Sequence, residues 1–68
     1  MNKKQLEKVE KYYPVGAMVR QHWGLGPEVR YGIIIASGLD FHGHIEVYTS
    51  DGERELSHRS DWEIIARP

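Results

Sequence analysis

The chain has 68 residues, with 9 Lys and Arg against 10 Asp and Glu, so its formal net charge is −1 at pH 7. This charge gives no global attraction to nucleic acid or to an anionic membrane. The absence of cysteine excludes disulfide bonds and thiolate metal sites, and no apolar run is long enough to span a bilayer. We therefore expect one small cytoplasmic domain. Because so short a chain builds a limited core, a homo-oligomer is one expected route to stability.

The first residues predict a short amphipathic helix over residues 1–13. Leu6, Val9 and Tyr13 recur at the spacing of one helical face. Pro14 ends the helix, because the residue before a proline is pushed out of the α region. A helix this short is marginal alone in water, so we expect it to dock on the following domain or on a partner.

The rest of the chain, residues 14–68, predicts a mostly β domain. Runs rich in β-branched and aromatic residues alternate with polar positions and are separated by Gly, Pro and Asp. The predicted strands cover five stretches, with one 3₁₀ turn before the last: residues 15–22, 30–37, 44–49, 53–56 and 62–66, and the turn at 57–61.

Several positions in these strands carry more specific predictions. Ile45 and Val47 are predicted to face the core, since they alternate with polar or aromatic residues. Leu56 is predicted to face inward from the fourth strand. Gly32 indicates a bulge or a sharp bend in the second strand. The Asp-Gly pair at 51–52 predicts a type I′ hairpin turn.

Three short motifs carry a resemblance to a known fold. They read Val-Gly-Ala-Met-Val-Arg at 15–20, Tyr-Gly-Ile-Ile at 31–34 and His-Ile-Glu-Val-Tyr at 44–48. With the order of the predicted elements, the chain resembles small SH3-like barrels of KOW and Tudor type. It is also similar to short phage-encoded SH3-like proteins of unknown function. The resemblance implies a five-stranded SH3-like barrel preceded by a short N-terminal α-helix.

A second resemblance is to the plasmid-borne type II dihydrofolate reductases. They are similar in size and share the opening Gly-x-x-Val-Arg pattern, which stands here at 16–20. Those enzymes build their site from a Gln-Ile-Tyr stretch in a tetrameric pore. In this chain the corresponding region reads Glu-Leu-Ser-His at 55–58, so the resemblance does not extend to the active site.

The leading hypothesis is a non-catalytic binding module or regulatory subunit that contacts a protein partner. Large apolar residues in loops favour contacts of this kind. In the phage setting that the resemblance implies, the partner would be a host protein. The predicted contact residues are Trp23, Leu25, Val29, Leu39 and Phe41.

The alternative hypothesis is a nucleic-acid-binding barrel. Small barrels hold single strands by stacking bases on aromatic rings beside cationic groups. The residues that would do so here are Arg20, Trp23, Arg30 and Tyr31. Binding through phosphates would weaken steeply as salt rises, whereas an apolar protein interface would not.

Metal binding and catalysis have less support in the sequence. His42 and His44 would share a face if both lay on a strand, but no carboxylate or cysteine completes a recognisable ligand spacing. The sequence therefore predicts no metal site and no cofactor. Ser57, His58 and Asp61 are the residue types of a hydrolase triad, yet neighbours within one turn are poorly placed to act together. An oligomeric enzyme with its site at a symmetry axis is the second alternative, with no catalytic residue assigned.

Overall fold

The computed structural model describes residues 12–21 and 29–68. These contain the strands β1 (Met18–Gln21), β2 (Tyr31–Ala36), β3 (His44–Thr49), β4 (Arg54–His58) and β5 (Trp62–Ala66), and a 3₁₀ turn at Arg59–Asp61. The predicted helix over residues 1–13 lies almost entirely outside the described residues. Within the described ranges, no helix is long and apolar enough to cross a membrane.

The five strands form one sheet in the order β4-β3-β2-β1-β5. All four pairings are antiparallel. The prediction of a mostly β domain is confirmed, and each predicted strand has a counterpart shifted by no more than a few residues at its ends. The two end strands, β4 and β5, do not pair with each other in the described part of the chain. The sheet is therefore open there, not closed into the predicted barrel.

One face of the sheet holds the hydrophobic core. Its fully buried apolar residues come from four strands and from the residue before β1: Ala17, Val19, Ile34, Ile45, Val47 and Trp62. Tyr13 and Ile64 pack against this cluster. Ile45 and Val47 were predicted to face the core, and both are fully buried in it. Alternation along each strand sends the intervening residues to the opposite, outer face.

The β3–β4 hairpin differs from its prediction. A type I′ turn needs positive φ at both central residues, here Asp51 and Gly52. Gly52 has a φ of 85°, but Asp51 does not have positive φ, since no described non-glycine residue does. The Gly52 N–H instead donates to the Thr49 carbonyl at 2.9 Å. This pattern is a type I turn followed by a glycine in the left-handed region, which makes a three-residue loop.

This longer turn explains why the prediction for Leu56 is wrong. A two-residue turn at 51–52 would have paired Leu56 with Val47, on the core side. The observed register pairs Val47 with Glu55 and Glu46 with Leu56. A shift of one residue exchanges the two faces of a strand, and Leu56 is accordingly 65% exposed.

Gly32 is a point of close packing, whereas the bulge in β2 lies between Ile34 and Ala36. A Cβ atom at position 32 would lie 2.3 Å from Val47 Cγ1 and 2.9 Å from the Tyr48 carbonyl oxygen. Glycine is therefore required here because β2 and β3 approach too closely for any side chain.

Candidate functional site

Apolar side chains form a continuous row across the outer face of the sheet. Met18 of β1 is the register partner of Ile33 of β2, and Ile33 is the partner of Tyr48 of β3. Tyr31 lies two residues before Ile33 and therefore on the same face. These four residues are hereafter the apolar stripe. Met18, Tyr31 and Ile33 are each 44% exposed, and Tyr48 is 48% exposed.

The stripe borders a shallow groove of about 400 Å³. Besides the four stripe residues, Gly32 and residues 49, 50 and 52 of the hairpin line it. Thr49 is buried there, and its hydroxyl donates to the Glu53 carbonyl at 3.2 Å. The Thr49 hydroxyl is thus bonded internally, and the four stripe residues give the groove a mainly apolar and aromatic lining.

Charged residues beside the stripe are paired with one another. Arg20 donates to Glu63 of β5, and Arg54 donates to Glu46 across the β3–β4 pair at 2.9 Å. The hydrogen bond that Arg20 donates to Glu63, and then the negative charge of Glu63, raise the pKa of Arg20. Glu46 raises the pKa of Arg54 in the same way. Each positive charge therefore has a carboxylate next to it, which leaves little net field at the rim.

Arg30 holds the start of β2 to the β3–β4 hairpin. Its Nη2 lies 3.1 Å from Glu55 Oε2 and its Nε lies 3.3 Å from Asp51 Oδ2. The Nε atom of Arg30 and the Oε2 atom of Glu55 are buried. Each lies near an oppositely charged group but makes no hydrogen bond of good geometry. The bond between Arg30 and Glu55 raises the pKa of Arg30 against the opposing effect of burial. The Arg30 guanidinium thus stabilises the fold by joining β2 to the hairpin.

Of the residues predicted to bind a partner, the three that the structure describes do not line this groove. Trp23 and Leu25 lie outside the described residues. Val29 is half-buried, whereas Leu39, at 49%, and Phe41 are exposed in the loop between β2 and β3. Leu39 and Phe41 are thus exposed apolar residues on that loop that do not line the groove.

Sequence reasoning missed Met18, Ile33 and Tyr48 as a group, although it named Tyr31. Alternation with the buried Val19 and Ile34 is the signal that could have marked the first two as outward-facing.

Of the residues assigned to nucleic-acid binding, two are neighbours on the outer face. Arg20 and Tyr31 are register partners in the β1–β2 pair. Arg30 precedes β2 and is engaged by two carboxylates, and Trp23 is outside the described residues. The aromatic ring is therefore available, whereas both guanidinium groups already have anionic partners.

Asp40 organises the loop that contains the two candidate metal ligands. Its Oδ1 accepts hydrogen bonds from the backbone N–H groups of His42, at 2.9 Å, and His44, at 3.1 Å. Its Oδ2 lies 2.6 Å from His44 Nδ1. Partial desolvation acts to raise the pKa of Asp40, but these bonds outweigh it and lower the pKa to about 2. The carboxylate is an acceptor that fixes the loop.

The described histidines are not arranged as a group of metal ligands. β3 begins at His44, so His42 belongs to the loop and the two do not share a strand face as predicted. Among the described residues, no group of three His, Cys, Asp or Glu side chains is placed to hold a metal ion. His44 contacts the ring of its cross-strand partner His58, with ring centres 5.6 Å apart and nearly perpendicular planes.

His58 has a structural role at the start of the 3₁₀ turn. Its Nδ1 accepts from the Ser60 backbone N–H at 3.1 Å, so Nε2 carries the proton that is donated to the His42 carbonyl at 2.5 Å. The serine hydroxyl within reach of the ring, at 2.8 Å, is that of Ser60 and not that of Ser57. A His58 ring used as a cap and a loop tether does not form the triad that the residue types suggested.

Compared with known proteins, the chain matches no family model, no curated protein sequence and no solved structure. Its own surface is therefore the basis for assigning a function. The described part of that surface offers an apolar stripe with a charge-compensated rim.

Proposed function

We propose that this protein is a non-catalytic binding module or regulatory subunit, and that the apolar stripe is its contact surface for a protein partner. The single observation that carries the proposal is the continuity of Met18, Ile33 and Tyr48 across three strands at 44–48% exposure. Scattered exposed apolar residues are ordinary, but a contiguous apolar patch is typical of interaction sites.

The residue types in the stripe favour a protein partner. Tyrosine and methionine are enriched in the centres of protein interfaces, where charged residues are depleted. Tyrosine supplies a large rigid surface with one polar end, and methionine adapts to irregular partner surfaces. The paired charges at the rim, Arg20 with Glu63 and Arg54 with Glu46, fit the polar border of such an interface.

The same pairing weakens the alternative of nucleic-acid binding. Affinity for nucleic acid comes mainly from Lys and Arg side chains that neutralise phosphates. Arg20 and Arg30 would first have to give up their carboxylate partners. Tyr31 could stack on a base, but the described surface around it has no uncompensated guanidinium group.

An SH3-like architecture is part of the proposal. The strand order β4-β3-β2-β1-β5 and the 3₁₀ turn before the last strand support it. In the phage setting implied by the resemblance, the module would bind a host protein and alter its activity. Neither the fold name nor that setting is needed for the test of the contact surface.

The test compares two matched variants in an affinity capture. Ile33→Glu places a charge in the stripe, and Leu39→Glu places the same charge at a similarly exposed position on the β2–β3 loop. Each tagged protein is passed through a cell lysate, with and without nuclease, at moderate and high salt. Far-UV circular dichroism during heating confirms that both variants fold.

We expect the wild type and Leu39→Glu to retain the same protein at both salt concentrations, and Ile33→Glu to lose it. Loss with Leu39→Glu instead would move the contact surface to the loop that contains Phe41. Recovery of nucleic acid, with retention abolished by nuclease or by salt, would contradict the proposal. A larger mass of the wild type alone in light scattering, abolished by Ile33→Glu, would identify a second copy as the partner.

A further inference from the structure

A second groove, of about 590 Å³, runs beside β5 and shares no lining residue with the groove at the apolar stripe. We call it the β5 groove. Aromatic, aliphatic and cationic side chains line it, including Tyr12, Tyr13, Arg59, Trp62, Ile64 and Arg67. A ligand bound in the β5 groove would not depend on the function proposed for the apolar stripe.

The β5 groove concentrates positive charge that no described carboxylate compensates. Arg20, Arg30 and Arg54 each form an ion pair. Arg59 and Arg67, by contrast, form no ion pair with any described residue. Both line this groove, and the acidic residue in its wall, Glu63, is bonded to Arg20. In a chain of net charge −1, this is a local site for an anionic group.

The groove also follows an open edge of the sheet. β5 pairs only with β1 among the described strands. The Trp62 N–H donates to the Arg59 carbonyl, and the Trp62 carbonyl accepts from the Tyr13 hydroxyl at 3.5 Å, so both groups point away from β1. Backbone groups two residues apart point the same way along a strand. The N–H and C=O of Ile64 therefore face the groove side.

We propose that the β5 groove binds an extended acidic peptide segment, which adds to the open edge of β5 as a further strand. The backbone of Ile64 supplies ladder hydrogen bonds, and Arg59 and Arg67 bind carboxylates of the peptide. Strand addition to an open sheet edge is an established mode of peptide recognition. Guanidinium groups bind carboxylates through paired, charge-assisted hydrogen bonds.

The positions of the two arginines define the peptide. Arg59 lies in the 3₁₀ turn before β5, and Arg67 directly follows the strand. The five residues of β5 span roughly 13 Å at about 3.3 Å per residue. A peptide that pairs along this strand would therefore meet one guanidinium group near each of its ends. Its acidic residues should flank a short β-forming centre.

Charge argues for a peptide over a nucleic acid in this groove. A nucleic acid needs a track of several cations along its backbone, whereas the described groove offers two free guanidinium groups. The carboxylates of Glu46, Glu55 and Glu63, the last of which lines the groove, are each paired with an arginine that does not line it. Two carboxylate contacts and an exposed strand edge match an acidic peptide better.

The test uses a capped peptide, Glu-Glu-Val-Thr-Val-Glu-Glu, and two matched probes. One probe replaces every Glu with Gln, and the other carries N-methyl groups on the three central residues, which blocks strand pairing but keeps the charge. The full chain is labelled with ¹⁵N, and the amide of Ile64 and the side-chain Nε–H groups of Arg59 and Arg67 are followed during titration. We expect saturable shifts with the first peptide and their loss with both other probes.

Three substitutions locate the binding. Arg59→Gln and Arg67→Gln should each weaken binding roughly tenfold, the loss of one charge-assisted contact at a partly exposed site. Arg54→Gln is the matched control, because its guanidinium group bonds to Glu46 on the other side of the sheet, and it should leave the dissociation constant unchanged. An unchanged fold is verified from the rest of the amide spectrum.

Each other outcome overturns the proposal in a different way. Equal binding of the N-methylated peptide would mean that charge alone attracts it and that no strand is added. Tighter binding of oligothymidylate at the same salt concentration would assign the groove to nucleic acid. Concentration-dependent shifts of the Ile64 amide without peptide would show that a second copy occupies the edge. The absence of saturable shifts would exclude a peptide site.

Discussion

Apolar residues of the same kinds occupy both faces of the sheet, but those on the inner face are buried and those on the outer face are exposed. Ile33 and Ile34 are neighbours in β2, yet Ile34 is fully buried and Ile33 is 44% exposed. The same contrast separates Met18 from Val19 and Tyr48 from Val47. Hydrophobicity alone does not decide which face becomes the core. Strand register decides it, and this leaves an apolar outer face available for a partner.

The largest effect expected from this comparison is at Ile34. Ile34→Ala removes buried methyl groups and leaves a cavity, at a cost of roughly 3 kcal/mol in the free energy of unfolding. Ile33→Ala, the matched control, should cost less than about 1 kcal/mol because its side chain is already in contact with water. Urea titration of both variants measures the difference.

A small domain has only about 3–5 kcal/mol of net stability, so Ile34→Ala is expected to stand close to complete unfolding. Ile34→Val should lower the free energy of unfolding by about 1 kcal/mol, which gives a value between those of the wild type and Ile34→Ala. Similar losses for the alanine variants of Ile33 and Ile34 would mean that the outer face is also packed in solution, for example against a second copy.

Gly32→Ala should have the next largest effect, about 2–3 kcal/mol from overpacking. The added Cβ would meet Val47 Cγ1 at 2.3 Å and the backbone oxygen of Tyr48 at 2.9 Å, so β2 and β3 would have to separate. The measurement is again the free energy of unfolding from urea titration.

Gly52→Ala is a useful comparison for Gly32→Ala. At position 52 the positive φ of 85° strains an alanine although space is available, the nearest atom being the Tyr48 hydroxyl at 4.0 Å. Its cost should be about 1 kcal/mol. A neutral Gly32→Ala would contradict the close approach of the two strands on which the inner face depends.

Asp40→Asn is expected to have a smaller, pH-dependent effect, because Asp40 fixes the loop that sets where β3 begins. The pKa of Asp40 is lowered from 3.8 to about 2 in the folded protein. A lowered pKa means that the ionised carboxylate stabilises the fold above pH 3.8, and that this contribution is lost as pH falls towards 2. Asparagine keeps the acceptor oxygen for the backbone N–H groups but cannot titrate.

The measurement for Asp40→Asn is the difference in unfolding free energy between wild type and variant at successive pH values. The difference should be close to its full value at about pH 5 and should shrink as pH falls from there towards 2. Asp51→Asn is a control, since its carboxylate is more exposed than that of Asp40 and lies in the other loop that flanks β3. A difference that stays constant to pH 2 would show that folding does not lower the pKa of Asp40.

The positions of the strands could be predicted from the sequence because they depend on local alternation and on Gly, Pro and Asp between the runs. Ile45 and Val47 were assigned to the core in this way. The ion pairs could not be predicted, since Arg20 and Glu63 are 43 residues apart and meet only because β5 returns to β1. The apolar stripe likewise could not be predicted, because it depends on the registers of the β1–β2 and β2–β3 pairs. The sequence of one strand does not specify its register with a neighbour.

The register of β4 shows the same limit more sharply. Gly52 has positive φ in both a two-residue and a three-residue hairpin loop, so an Asp-Gly pair indicates a turn without fixing its length. The conformation of Asp51 decides between them, and with it the face on which Leu56 lies. A single backbone angle therefore separates a predicted core leucine from an exposed one.

Leu56→Thr tests that choice and should have the smallest effect of the series. In the observed register Leu56 is 65% exposed opposite Glu46, and threonine is favoured in strands, so we expect a change within about 0.5 kcal/mol. Had the two-residue turn formed, Leu56 would pack on Val47, and the same substitution would cost about 2 kcal/mol or more from lost burial. Urea titration distinguishes these values, and contacts between residues 56 and 46 or 47 in nuclear Overhauser spectra report the register directly. A large loss of stability together with a contact to Val47 would exchange the two faces of β4, and the inner face would then gain an apolar residue that the outer face had held.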